Sequence, residues 1–107
     1  MTTFEALGVA EPLVKALADR GITDAFPIQE LSLPDGLAGR DVCGKAKTGS
    51  GKTLAFGLAV IQQLLDGEPA EPRRPLALAL VPTRELAVQV TEELAELSEV
   101  RVASVYG

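Results

Sequence analysis

Apolar and polar positions along this chain follow two periods, and the switches between them outline the elements. Residues 11–20 place Leu13, Val14 and Leu17 on one helical stripe, with Pro12 suited to a first turn and Gly21 to a carboxy-terminal cap. Residues 23–27 are turn-like, 28–33 predict a brief helix, and Pro34 is expected to end it or begin another. Gly36 and Gly39 lead into a short apolar, strand-like segment at 41–44. From 52 to 65 apolar residues lie on nearly every side, so this helix is expected to be buried between layers.

Residues 67–75 hold three prolines and four charged residues, which predicts an exposed linker. The run 76–81 is continuously apolar and of strand length, as in a parallel strand covered on both faces. A helix over about 84–98 carries Leu86, Val90, Leu94 and Leu97 on one stripe, and 100–105 is a third strand candidate. Strand, helix, strand, helix, strand predicts an α/β fold, a parallel sheet with helices on both faces. No internal repeat is visible.

With 107 residues the chain is one domain at most, small for a nucleotide-processing α/β fold, and it is expected to be part of a longer protein. Apolar residues make up 47% and aromatics 4%, so the core must come from Ala, Leu and Val. A net charge of −5 argues against holding nucleic acid by bulk electrostatics; any such contact must be local. The cations Arg40, Lys45, Lys47 and Lys52 gather around one loop, whereas Glu92, Glu93, Glu96 and Glu99 form a solvated face on the last helix. Cys43 is the sole cysteine, so no internal disulfide is available, and with no histidine to activate it a buried thiol is expected. No secretory pattern and no transmembrane-length stretch occurs, which points to the cytoplasm and away from membranes.

The candidate chemistry lies in Ala46-Lys47-Thr48-Gly49-Ser50-Gly51-Lys52-Thr53, between the first strand-like segment and the apolar helix. Gly49 and Gly51 permit backbone conformations that aim successive N–H groups at phosphate oxygens. Lys52 brings a positive charge to the β- and γ-phosphates, and the Thr53 hydroxyl can ligate the bridging Mg²⁺. The helix start adds its dipole. This is a phosphate-binding P-loop with one departure, Ala46 where the general pattern has Gly.

Four separated elements then resemble the amino-terminal half of the helicase core of DEAD-box RNA helicases. Gly21-Ile22-Thr23-Asp24-Ala25-Phe26-Pro27-Ile28-Gln29 resembles the Q motif, and the loop from Ala46 resembles motif I, in which Ala commonly comes first. Pro82-Thr83-Arg84-Glu85-Leu86-Ala87 is similar to motif Ia, and Phe4 stands 17 residues before Gly21, where the family has an isolated aromatic. The resemblance implies a partial RecA-like P-loop domain, residues 1–39 forming the Q-motif region and 40–107 the P-loop and motif Ia region.

By the same resemblance, ATP is the nucleotide and Lys52 and Thr53 are the catalytic positions. Gln29 would read adenine through an amide that donates and accepts together, and Phe4 would stack on the ring. A core position for Phe4 is the competing explanation. Thr83 and Arg84 would contact the RNA backbone, or else Thr83 merely caps a helix and Arg84 pairs with a carboxylate. Lys47 stands where the family usually has Gln, beside the triphosphate. The complete protein would couple ATP hydrolysis to RNA duplex unwinding. The chain closes at Tyr106-Gly107 before any D-E-A-D run, so these residues alone are expected to be inactive. The strand neighbours of the loop-bearing strand would come later in the chain, leaving an open edge that invites self-association. The alternatives are a non-catalytic nucleotide- or partner-binding module and, less well supported, a small P-loop kinase.

Overall fold

The amphipathic stripes fold as helices close to where the periodicity puts them. The computed structural model describes residues 2–47, 51–67, 71–98 and 101–105. Among these, the helices are α1 (Glu11–Asp19), α2 (Pro27–Leu37), α3 (Lys52–Asp66) and α4 (Arg84–Leu97). Leu13 and Leu17 of α1 are fully buried, each worth about 1.5–3 kcal/mol relative to exposure. The turn after α1 closes through Gly21 at φ 78°, whose N–H donates to the Ala18 carbonyl at 2.9 Å. Glycine takes this left-handed backbone without a Cβ penalty.

Two helices depart from expectation. Helix α2 runs through Pro34 rather than stopping at it. Proline removes one intrahelical donor, but the turn closes beyond it, with the Ala38 N–H donating to the Pro34 carbonyl at 3.3 Å. Tertiary contact favours the continuation: α2 packs most extensively on α3, and Gly36 stands against Ala59. Helix α3 is buried on one side instead of all round. Ala55, Leu58, Ala59 and Ile61 are buried, while Phe56 and Leu65 stand 40% and 46% exposed.

The expected parallel sheet is not formed among the described residues. Their strand-like segments show no ladder, and β pairing is confined to one isolated antiparallel bridge, Thr3 with Asp24. Leu76, Leu78 and Leu80 are 54%, 82% and 87% exposed. A lone strand leaves its backbone groups to water and gains no cross-strand packing, so these segments lack the partners that would stabilise them as β-structure. The same cause corrects the expectation of a buried thiol, since Cys43 is exposed on an unpaired segment. Residue Val100 of the third strand candidate lies outside the described residues.

One core joins the helices and the amino-terminal segment. It contains Phe4, Val9, Leu13, Leu17, Leu33, Leu58, Ile61, Val90, Leu94 and Leu97. Helix α4 approaches α3 closely because Gly57 has no side chain; a Cβ there would run into Leu94. An ion pair of 3.4 Å between Arg20 and Glu96 links α1 to α4 at the surface.

Candidate functional site

The site begins where α3 does. Gly51 is its N-cap, with φ 85° and ψ 24°, a left-handed conformation that glycine adopts readily. The first N–H groups of a helix have no intrahelical acceptor and carry partial positive charge. The first turns of α1, α2 and α4 each contain a carboxylate, respectively Glu11, Glu30 and Glu85. The first turn of α3 contains none and starts instead with the exposed Lys52. That combination presents an anion with a dipole end and a cation together. Thr53, next in sequence, is half-buried.

Gln29 is brought directly to this point. It lies in the first turn of α2, is 2% exposed, and donates from Nε2 to the Gly51 carbonyl at 3.0 Å. Its Oε1 accepts the Phe26 N–H at 2.8 Å. This is the glutamine half of a capping box; Phe26 has no side-chain acceptor to supply the other half. The approach is tight, because a Cβ at Gly51 would collide with the Gln29 amide and press on the Phe26 ring. The Gln29 amide is therefore turned onto the chain itself in this conformation.

Beside the helix start, a cavity of about 370 Å³ lies between α2 and α3, with Ile28, Ser32, Val42, Lys52, Phe56 and Gln63 among its walls. Gln63 donates from Nε2 to the Gly36 carbonyl at 2.9 Å and ties the two helices across it. Arg40, one of the cations expected around the loop, pairs with Asp35 at 2.9 Å.

The other candidate residues divide. Ala46 is half-buried and Lys47 exposed just before the helix, whereas Thr48, Gly49 and Ser50 lie outside the described residues. Phe4 is 1% exposed within the core. Its placement in this structure is that of a core residue, with no open ring face on which a base could stack. Thr83 caps α4, accepting the Leu86 N–H at 3.1 Å, and the exposed Arg84 opens that helix. Neither lines the cavity at Lys52. Sequence reasoning passed over Gln62 and Gln63, two amides in an otherwise apolar stretch of α3. Polar residues in a helix with so little other polarity were the available signal.

Residues 26–107 match the family model of the DEAD/DEAH box helicases. The chain belongs to that family. It is 46% identical over its whole length to the ATP-dependent RNA helicase CshA of Listeria monocytogenes, of which it covers 20%. Against the ATP-dependent RNA helicase DeaD of Escherichia coli K12 the identity is 47%, covering 99% of this chain and 17% of the relative. Among solved structures, the RNA helicase Prp28 from Chaetomium thermophilum bound to ADP superposes with a TM-score of 0.91 at 34% identity, covering 100% of this chain and 27% of that one. Dbp5 of Saccharomyces cerevisiae, bound to RNA and ADP BeF3, gives 0.77 at 31% identity, covering 92% and 25%. The chain thus spans between 14% and 20% of the length of curated relatives such as these. Its backbone follows the matched part of Prp28, although its strand-like segments are unpaired among the described residues.

Proposed function

We propose that this chain is the ATP-binding, amino-terminal portion of the first RecA-like domain of a DEAD-box RNA helicase, and that the complete protein couples ATP hydrolysis to RNA duplex unwinding or remodelling. The observation that carries this reading is the junction of Gln29 with Gly51 at the start of an acid-free helix turn bearing Lys52. Residues 1–39 serve as the Q-motif region and 40–107 as the P-loop and motif Ia region. In the complete domain, 41–44, 76–81 and 100–105 are assigned to one parallel sheet.

The roles follow from chemistry. The amides at the start of α3 and the Lys52 ammonium would hold the triphosphate. While bonded to Gly51 and Phe26, Gln29 keeps a second N–H and a second lone pair, suited to the paired donor and acceptor of adenine. Among the described residues no group of His, Cys, Asp or Glu could hold a metal by itself. A single hydroxyl, that of Thr53, fits a Mg²⁺ that keeps its waters and comes with substrate phosphates; when bound, that ion neutralises β- and γ-oxygen charge. Thr83 and Arg84 at the start of α4 offer N–H donors and a guanidinium to an RNA backbone, independent of base sequence. No D-E-A-D run occurs among these 107 residues, so by themselves they would bind nucleotide weakly at best and turn it over negligibly. No helix among the described residues is long and apolar enough to cross a membrane. The cytoplasm is the proposed location, and the open segments make self-association of the isolated 107-residue chain an expected behaviour.

The test is RNA-stimulated ATP hydrolysis by the complete protein and its Lys52→Ala variant. Loss of at least about a hundredfold is expected from removing a phosphate-facing cation. Hydrolysis unchanged in Lys52→Ala would sink the reading, and ATP-dependent phosphorylation of a small acceptor without RNA stimulation would favour a P-loop kinase.

A further inference from the structure

A polar residue outside the proposed nucleotide contacts closes a circuit around them. Gln62 lies on α3, roughly three turns beyond Gly51. Both ends of its amide are used on the amino-terminal segment: Oε1 accepts the Ala10 N–H at 2.7 Å, and Nε2 donates to the Gly8 carbonyl at 3.1 Å. Gly8 has φ 99°, a conformation that L side chains rarely adopt, and this shapes the backbone the amide grips.

The gripped segment leads back to the site. Within it, the Leu7 and Val9 N–H groups each donate to the Phe4 carbonyl at 3.1 Å. At its far end the Thr2 carbonyl accepts the Ala25 N–H at 2.8 Å, and Thr3 bridges to Asp24. Ala25 precedes Phe26, whose N–H is held by Gln29, and Gln29 reaches Gly51. Helix α3 is therefore held at Gly51 by Gln29 and, three turns on, through Gln62 by the strap formed by residues 2–10, and the strap is paired to the segment at 24–26 that precedes Gln29.

We infer that Gln62 is a positioning residue for the nucleotide site: by pinning residues 8–10 to α3 it holds the strap, and through 24–26 the Gln29 amide, in register with Gly51. A helix is stiff along its axis, so fixing the strap at Gln62 limits where its other end can hold residues 24–25, and with them the segment that carries Gln29, relative to the start of α3. Without that amide, Phe4 and Val9 still anchor the segment in the core, at 1% and 5% exposure. The chain then keeps its fold while residues 24–26 gain freedom and Gln29 leaves Gly51 more often. A cradle that must be ordered at the moment of binding holds its ligand less tightly. The inference rests on the ATP-site reading above.

The experiment measures affinity of the complete protein for a fluorescent ATP analogue in four forms: native, Gln62→Ala, Gln29→Ala and the double variant. Removing two neutral hydrogen bonds whose effect reaches the site indirectly is expected to weaken binding about threefold to tenfold in Gln62→Ala. Because the effect passes through Gln29, Gln62→Ala should weaken binding less than about twofold in the Gln29→Ala background. A merely structural role would give the same factor in both backgrounds, and that result overturns the inference, as does unchanged affinity in Gln62→Ala. Gln62→Met keeps the side-chain length without the hydrogen bonds and carries the same test if Gln62→Ala does not fold. Lys52→Ala, measured alongside, separates the two claims: binding retained there refutes the ATP-site reading, whereas binding lost there with no Gln62 effect refutes this inference alone.

Discussion

The helical layer and the strand-like segments of this chain are both apolar in sequence, yet they meet opposite fates. Leu13, Leu17, Leu33 and Leu58 are fully buried, while Leu78 and Leu80 are more than four-fifths exposed. Residue type does not separate them. A helix satisfies its own backbone hydrogen bonds and needs only a surface for one stripe, whereas a strand needs neighbours for its backbone as well as cover for its faces. Helices α1 to α4 find their surfaces in each other and in the amino-terminal segment. The segments at 41–44 and 76–81 find no strand to pair with among the described residues, although Val81 packs partly against the core.

The contrast can be attacked from its strong side first. Leu58→Ala, at a fully buried position of α3, should lower the unfolding free energy of the 107-residue chain by about 2–5 kcal/mol in urea titrations. A loss under about 1 kcal/mol would mean that the helical layer is not a packed core. Next in size is Gly57→Val, which pushes a side chain into Leu94 and should destabilise by about 1–3 kcal/mol through overpacking between α3 and α4. Equal stability of that variant would show that the two helices do not approach this closely. Smallest is Leu78→Ser: in the 107-residue chain it should change stability by no more than about 0.5 kcal/mol, since little contact is lost. In a protein of the relatives' length, if 76–81 enters the proposed sheet, the same change should reach the size of a core substitution. A large effect already in the short chain would reverse the contrast, pointing to burial by a second copy.

The sequence made different parts of the site legible for different reasons. Gly51, Lys52 and Thr53 follow one another, so their joint presence at the start of α3 was readable from order alone. Gln29 was readable as a site residue, but its bond to the Gly51 carbonyl lies across 22 positions and depends on how α2 leans on α3. Phe4 illustrates the opposite outcome. An aromatic near a terminus is compatible with stacking on a ligand or with covering core, and in this structure the ring is buried against the helices. Gln62 gave only a weak signal, because the amides of Gln62 and Gln63 on an apolar helix have no partners visible in sequence.

By itself the sequence determined the four helical stretches, the order of glycine-rich loop and helix, and membership in a helicase family, because periodicity, glycine placement and motif spacing are local or collinear properties. Only the tertiary structure decided that α2 continues through Pro34, that α3 is covered on one side, that Phe4 is packed in the core, and that the Gln29 amide meets Gly51 while the Gln62 amide grips residues 8 and 10. Each of those depends on which surfaces meet, and contacts between residues distant in sequence are not encoded in any single segment's pattern.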